Sequence, residues 1–223
     1  LNIGSDVYYS IEELQKNPPA HEVYITGSDQ VWNVGSNKIL SKQYYLSFGD
    51  ATIKRIAFAA SFGQCDVLPF LEEEIRNEVL KLDAVSVREK NGVDFLQNLM
   101  KEEKEVHHIN DPTFLLSKED YLKIADKTIL KKKKKHIASY ILTTYTQDQL
   151  NIIDYIKKIK QKKIINLRNP DTCIRLSKAK NKIVNPYQWL SYMMNAELII
   201  CNSFHAVVFS LIFKKEFIVI TPY

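Results

Sequence analysis

With 223 residues, the chain is long enough for one large domain or two small ones, and it can bury roughly 70% of its unfolded surface without disulfides or a structural metal. Its net charge of +5 comes largely from one run, Lys131–Lys135, which favours a solvated loop or helix end over a surface for nucleic acid or membrane. No stretch reaches the ~18 uninterrupted apolar residues of a membrane span and no signal peptide opens the sequence, so we expect a cytoplasmic protein.

Strands and helices alternate in the first half of the sequence. A short helix capped by Ser10 is expected to end before Pro18, since proline breaks a helix interior. Apolar runs predict strands at residues 22–26, 54–60, 84–87 and 106–109, and helical spacing predicts helices at 70–81 and 91–101. Pro112 disfavours a helical conformation at Asp111, so the chain is expected to turn there.

A second alternating series follows a connecting segment at 115–125 and the lysine run. It has predicted strands at 136–142, 163–167 and 198–201, a last strand before Pro222, and helices at 147–159, 187–196 and 204–213. A polar loop rich in Asn, Lys and Arg precedes the second of these helices. Such alternation is typical of parallel βαβ units. We therefore predict an α/β protein with two Rossmann-like domains facing a cleft, residues 1–128 and 129–223.

Both ends of the sequence are abrupt. Leu1 is not an initiator methionine, and Tyr223 directly follows a predicted strand and a proline. We therefore expect both ends to be truncated, so that the first domain lacks its start and the second lacks its end.

Polar loops follow four of the predicted strands, at residues 27–30, 61–63, 88–90 and 202–205. The carboxyl ends of parallel strands are where open α/β sheets place ligands. His205 falls on the first turn of a helix just after a buried strand. Free N–H groups and the helix dipole favour an anion there, and an imidazole exchanges a proton near neutral pH. The alternative is a neutral histidine whose hydrogen bonds are satisfied by the backbone.

Three cationic side chains are candidates for binding an anion. Arg88 follows a predicted strand and can hold a carboxylate or phosphate through two hydrogen bonds, or it is a surface arginine paired with Glu89 or Asp83. Lys90 and Arg168 are weaker candidates, and Arg168 ends a strand of the second domain.

The loop after the first strand offers two further candidates. Asp29 is either a base or hydrogen-bond acceptor for a sugar hydroxyl, or it caps the following turn together with Ser28. Trp32 is either a platform on which a sugar stacks or a tryptophan of the core.

The sequence contains no P-loop, GxGxxG, HExxH or GxSxG motif, which argues against the common nucleotide, metal and acyl-transfer sites. Its cysteines, Cys65, Cys173 and Cys201, lie far apart and at no metal-ligand spacing, which fits a reducing compartment. Cys201 ends an apolar strand and is predicted to be a small core residue.

An ordered set of segments resembles the polysaccharide pyruvyl transferase family. The set consists of GSDQVWN at 27–33, AFAASFG at 57–63, VSVREK at 85–90, NDPTFLL at 110–116, WL at 189–190 with AE at 196–197, and SFH at 203–205. The set covers the chain from about residue 22 to residue 220. The resemblance implies a fold similar to the GT-B glycosyltransferases.

The resemblance also implies a reaction, in which the pyruvyl group of phosphoenolpyruvate is transferred to sugar hydroxyls as a ketal during surface-polysaccharide biosynthesis. His205 matches the family's histidine, the acid that protonates the methylene carbon, and Arg88 matches an arginine that binds the phosphate or carboxylate. No cofactor and no metal are implied. The implied partners are phosphoenolpyruvate and a glycan or lipid-linked sugar acceptor, and the latter would bring peripheral contact with a membrane.

Two positions depart from the family pattern. Ser203 stands where some members carry an arginine, and Ala206 stands where glycine is usual. Ser203, with Asn202 beside it, can hydrogen-bond an anion but cannot neutralise it, so Lys90, Arg168 or Arg175 must supply the charge. Two alternatives stay open, namely a GT-B-like glycosyltransferase that uses a nucleotide sugar and a non-catalytic member that binds glycans or serves as a scaffold.

Overall fold

A computed structural model of the chain describes residues 6–35, 40–132, 135–142, 145–168, 176 and 179–220. The chain divides into two compact units, residues 1–112 and 113–223. Within the described residues, no helix is both long enough and apolar enough to cross a membrane. The candidate cation Arg175 and one of the cysteines, Cys173, lie outside the described residues.

The first unit contains a parallel four-stranded sheet in the order β1-β2-β3-β4. Its elements in chain order are α1 (Ile11–Lys16), β1 (Val23–Thr26), β2 (Lys54–Ala60), α2 (Pro69–Leu80), β3 (Ala84–Val87), α3 (Lys90–Met100) and β4 (His107–His108), with a 3-10 turn at Lys42–Tyr45. All four predicted strands are confirmed, and β2 and β3 have the predicted bounds. Strands β2 and β3 are largely buried, and their apolar side chains share one core with those of α2 and α3.

The second unit contains a parallel five-stranded sheet in the order β7-β6-β5-β8-β9. Its elements are a 3-10 turn that begins at the junction (Pro112–Leu115), α4 (Lys118–Ile124), α5 (Lys127–Lys131), β5 (His136–Tyr140), α6 (Gln147–Lys160), β6 (Ile164–Arg168), β7 (Lys180–Ile183), α7 (Pro186–Asn195), β8 (Ala196–Cys201), α8 (Phe204–Ile212) and β9 (Glu216–Val219). The alternating parallel pattern predicted for this half is confirmed. Central strands β5 and β8 are almost fully buried, which explains their continuous apolar sequence.

The second unit begins sixteen residues (128 − 112) before the boundary predicted from composition. The reason is that α4 and α5 pack on α7 of the second unit. Two hydrogen bonds hold this contact, from Ser191 Oγ to the Asp126 carbonyl at 3.1 Å and from Asn195 Nδ2 to the Ile129 carbonyl at 2.9 Å. The composition boundary falls inside α5, because the lysine run that suggested a hinge begins at the end of this helix.

Strand β7 lies in the segment expected to be a polar loop. Its residues Lys180–Ile183 are exposed or half-buried, because β7 is an edge strand of the sheet. Its pairing with β6 depends on backbone hydrogen bonds rather than on an apolar face, so hydrophobic periodicity gave no signal for it.

Candidate functional site

The order of the second sheet creates a crevice at the carboxyl ends of β5 and β8. From β5 the chain moves outward to β6 and β7, and then it returns to the other side of β5 to form β8. Loops at such a reversal diverge to opposite faces of the sheet and leave a crevice between them, which is where open α/β proteins bind ligands. The residues after β8 are Asn202, Ser203 and His205, three of the candidates predicted from the sequence.

Hydrogen bonds join the loops after β5 and β8. The Leu142 N–H donates to Asn202 Oδ1 at 2.8 Å, and the Asn202 N–H donates to the Tyr140 carbonyl at 3.4 Å. The carboxamide oxygen of Asn202 therefore binds the neighbouring loop.

Ser203 begins helix α8 as its N-cap, with extended backbone angles (φ −95°, ψ 132°). Its side chain makes no capping hydrogen bond and is buried. The N–H groups of the first turn of α8 thus have no side-chain cap. An uncapped helix N-terminus attracts an anion through these donors and through the helix dipole.

A cavity of about 840 Å³ opens at this edge of the sheet. Its polar lining includes Arg168, Ser203 and His205. Arg168 ends β6 with 9% of its surface exposed, and its carbonyl accepts the Val184 N–H at 2.9 Å. His205 is half-buried, and its ring centroid lies 5.3 Å from that of Phe204. The second unit by itself thus brings together an arginine, a hydroxyl, an imidazole and a helix N-terminus.

An aromatic wall, formed by Tyr140, Trp189 and Phe209, lines another part of the cavity. The Trp189 ring meets the Tyr140 ring at 5.4 Å and the Phe209 ring at 5.2 Å, both edge to face. Burial raises the pKa of Tyr140, so its hydroxyl stays protonated and can donate a hydrogen bond. Sequence reasoning missed this wall, because aromatic residues on α7 and α8 have the spacing of ordinary core residues.

Arg88 lies in the first unit and is held in a buried polar network. Its guanidinium donates to Glu89 Oε1 at 2.8 Å, to Ser61 Oγ at 3.1 Å, and more weakly to Asp111 Oδ2 at 3.4 Å and Ser28 Oγ at 3.5 Å. Ser28 Oγ also donates to Asp111 Oδ2 at 2.6 Å. The sequence alternative of a pair with Glu89 is therefore seen, but the side chain is only 6% exposed and is not a surface arginine.

The other candidates of the first unit are two exposed residues and one core residue. Asp29 is exposed, and its Oδ1 accepts the Gln30 N–H at 2.8 Å, as expected for a residue that caps a turn. Trp32 is 1% exposed and its ring stacks on Tyr45 at 4.9 Å, so it is the core tryptophan and offers no open face to a sugar. Lys90 is exposed at the first position of α3.

Among the residues that the structure describes, no three His, Cys, Asp or Glu side chains cluster as metal ligands do.

The chain has two α/β units, each built on a parallel sheet, and one has a ligand-sized cavity at the carboxyl edge of its sheet. This architecture is of the GT-B-like class. UDP-N-acetylglucosamine 2-epimerase from Rickettsia bellii is similar in structure, with a TM-score of 0.53 and 17% identity over 92% of this chain and 57% of that chain. Methanocaldococcus jannaschii UDP-GlcNAc 2-epimerase, in complex with UDP-GlcNAc and UDP, has a TM-score of 0.52 and 16% identity over 93% of this chain and 62% of that one. The chain thus spans less than two thirds of either protein, and these similarities show the fold alone.

No curated protein matches the chain. A family model described as polysaccharide pyruvyl transferase matches residues 3–222, almost the whole sequence. The chain therefore belongs to the polysaccharide pyruvyl transferase family.

Proposed function

We propose that this protein transfers the pyruvyl group of phosphoenolpyruvate to two hydroxyls of a sugar acceptor, forming a ketal during the synthesis of a surface polysaccharide. The observation that carries the proposal is the cavity of the second unit, in which Arg168, Ser203 and His205 meet the N-terminus of α8. In a pyruvyl transferase, that combination suits a small polyanion that must also accept a proton.

The anion is bound without a metal in this proposal. The guanidinium of Arg168 supplies full positive charge and can pair with the carboxylate or phosphate through two hydrogen bonds. The first-turn N–H groups of α8 and the Ser203 hydroxyl add further donors. Arg168 thereby provides the charge that Ser203 lacks.

His205 acts as the general acid. Its imidazolium gives a proton to the methylene carbon of phosphoenolpyruvate, and positive charge develops at the adjacent carbon that bears the phosphate. An acceptor hydroxyl attacks that carbon, and its proton returns to His205. A second hydroxyl of the same sugar then displaces phosphate, which leaves with the second proton. The net products are the ketal, in which the former methylene is a methyl group, and inorganic phosphate.

Arg88 has a different place in the proposal. Its guanidinium already donates to the carboxylates of Glu89 and Asp111 inside the first unit, and it is nearly buried. We assign the primary binding of phosphoenolpyruvate to Arg168 because it lines the cavity together with Ser203 and His205. We assign to Arg88 the positioning of the loops after β1, β2 and β3.

The reaction is proposed to take place in the cytoplasm, because phosphoenolpyruvate is a cytosolic metabolite. A lipid-linked acceptor would bring the enzyme to a membrane surface.

The aromatic wall favours one alternative, a glycosyltransferase that uses a nucleotide sugar. The cavity of about 840 Å³ is larger than phosphoenolpyruvate requires, and an aromatic lining can stack on a nucleobase. The similar M. jannaschii structure was solved with UDP-GlcNAc and UDP. This alternative predicts that a nucleotide sugar binds and that phosphoenolpyruvate does not.

The deciding experiment is a thermal-shift titration of the chain with phosphoenolpyruvate and, separately, with a panel of UDP-sugars. We expect saturable stabilisation by phosphoenolpyruvate only. Arg168→Met should weaken binding by at least about tenfold, since it removes a charged hydrogen-bonding partner. His205→Gln should retain binding within a few fold but abolish phosphate release once an acceptor is supplied.

Arg76→Met is the matched control, because Arg76 forms a surface ion pair with Glu103 in the first unit. Its titration should equal that of the unaltered chain. Stabilisation by a UDP-sugar alone would replace the proposal with the glycosyltransferase, and no response to any ligand would favour the non-catalytic scaffold.

A further inference from the structure

A second pocket, of about 370 Å³, lies in the first unit between the loops that follow β1 and β2. The polar part of its lining consists of the amides Gln30, Asn33 and Gln64 and the carboxylate Asp66. The steps proposed above use only residues of the second unit's cavity and leave this pocket without a role.

Backbone hydrogen bonds fix the two loops against each other. The Ser61 N–H donates to the Asp29 carbonyl at 3.0 Å, and the Trp32 N–H donates to the Ser61 carbonyl at 3.0 Å. The Gly63 N–H donates to Ser61 Oγ at 3.0 Å, and this hydroxyl also accepts from Arg88. The pocket wall is thus tied to the buried Arg88 network, and it is built before any ligand arrives.

Gly63 allows two amides to approach the wall closely. It adopts a positive φ of 71°, and a Cβ at this position would lie 2.9 Å from Asn33 Nδ2 and 3.3 Å from Gln30 Oε1. A side chain at residue 63 would therefore push both amides away and would itself be strained.

The amides are arranged so that donors remain for a ligand. Asn33 Nδ2 donates to Gln30 Oε1 at 2.8 Å, and Asn33 Oδ1 accepts the Gly35 N–H at 2.8 Å. These two bonds fix the orientation of both carboxamides. The Gln30 NH₂ group donates to no described residue, and Asp66 supplies carboxylate oxygens as acceptors. Donors and acceptors together match hydroxyl groups, each of which donates once and accepts twice.

The charge of the pocket selects against anions. None of the described residues that line it is positively charged, and Asp66 is negative. The rings of Trp32 and Phe62 lie behind this lining, 1% and 3% exposed and 5.3 Å apart, and offer no open face to a ligand. A neutral polyol fits the amides and the carboxylate of the lining, whereas a phosphate or carboxylate does not.

We infer that this pocket binds a neutral sugar unit of the acceptor, through Gln30, Asn33 and Asp66. The inference rests on the proposed function, because that function requires a sugar acceptor. The two substrates would then bind in different units, the anionic donor in the second and the neutral sugar in the first.

The test is a titration of the ¹⁵N-labelled chain, followed by NMR, with methyl glycosides of neutral hexoses and N-acetylhexosamines. We expect saturable shifts of the Gln30 and Asn33 side-chain amides and of the Gly35 and Gly63 N–H groups for at least one glycoside. Gln30→Ala should weaken that binding by about tenfold, the value of one hydrogen bond of about 1.4 kcal/mol. Gln97→Ala, which removes an exposed amide of α3 outside the pocket, should leave it unchanged.

The absence of a shift with every glycoside, or shifts equal in Gln30→Ala and the unaltered chain, would overturn this inference. The thermal-shift response to phosphoenolpyruvate is measured on the same samples. If that response persists while the glycosides fail, the acceptor pocket is wrong and the proposed function stands. If glycosides bind here and phosphoenolpyruvate fails, the sugar pocket stands and the transfer reaction falls.

Discussion

Leu142 and Asn202 are joined by a hydrogen bond of 2.8 Å from the Leu142 N–H to Asn202 Oδ1, across the point where the second sheet reverses its order. The loop after β5 is thereby fixed to the start of α8, which carries Ser203 and His205. We therefore expect Asn202 to act as a positioning residue for the cavity, through its side-chain oxygen.

Two substitutions of Asn202 distinguish the loss of its hydrogen bond from the addition of a charge. Asn202→Ala loses the acceptor and should weaken phosphoenolpyruvate binding about fivefold to tenfold, because the Leu142 N–H loses its partner. Asn202→Asp keeps an acceptor but adds a negative charge beside the anion, so it should weaken binding by a similar factor. Raising the salt concentration should narrow the affinity difference between Asn202→Asp and the unaltered chain, because salt screens the added charge. It should not narrow the difference between Asn202→Ala and the unaltered chain.

The measurement is the dissociation constant for phosphoenolpyruvate from thermal-shift titrations at two ionic strengths. Asn98→Ala, an exposed asparagine of α3, serves as the control. Unchanged affinity in Asn202→Ala would contradict a positioning role for this side chain.

Part of the site could be read directly from the sequence. The loop after β8 was predictable because an apolar run stops at Asn202 and helical spacing begins two residues later, and β2 and β3 have the predicted bounds for the same reason. The burial of Arg88 was not predictable. Its partner Asp111 lies beyond α3 and β4, and a pair between residues distant in sequence leaves no local pattern.

The aromatic wall escaped prediction for another reason. Trp189 and Phe209 lie on helix faces whose spacing is that of any core helix, and only the order of strands decides that they line a cavity. For Trp32 the sequence left a sugar platform and a core tryptophan both open, and the structure stacks its ring on Tyr45 inside the core.

Arg88→Met should lower the free energy of unfolding by about 3–5 kcal/mol, because it leaves the carboxylates of Glu89 and Asp111 without their cation. The pairing should appear as coupling, so Arg88→Met combined with Asp111→Asn should cost about 1–3 kcal/mol less than the sum of the single changes. Urea unfolding of the four proteins measures this coupling. An Arg88→Met protein of unchanged stability that no longer binds phosphoenolpyruvate would assign Arg88 to the substrate instead.

The hydrogen bonds of Arg55 lead to a prediction that concerns stability alone. Its buried side chain donates to the carbonyls of Leu46, Phe48, Gly49, Asp50 and Ile53 at 2.7–3.3 Å. Lysine has a single nitrogen and cannot reach carbonyls on several sides, so Arg55→Lys should lower the free energy of unfolding by about 2–4 kcal/mol.

Urea unfolding measures this loss, with Arg76→Lys on the surface as the matched control expected to change stability by less than about 0.5 kcal/mol. Equal stability of the two variants would mean that the carbonyls are satisfied in another way. Binding of phosphoenolpyruvate to the second unit should be the same in both.

The buried thiol of Cys201 leads to a prediction of how the free energy of unfolding depends on pH. Its thiol is fully buried at the end of β8, and burial raises its pKa to about 11, against a smaller lowering by a hydrogen bond from the Ser203 N–H. In the unfolded chain a thiol titrates near pH 8.5 to 9. Above that pH the unfolded chain loses a proton that the folded chain retains, so the free energy of unfolding falls as pH rises.

The loss from Cys201 should be about 1.4 kcal/mol per pH unit between roughly pH 9 and 11, and it should be absent in Cys201→Ala. The measurement is urea unfolding from neutral pH to about pH 10.5, taken as the difference between the two proteins so that other titrating groups cancel. Cys65→Ala is the comparison, since Cys65 is half-buried and the rise of its pKa is also due first to burial. Parallel profiles for Cys201→Ala and the unaltered chain would mean that the Cys201 thiol ionises as readily in the folded protein as in the unfolded chain.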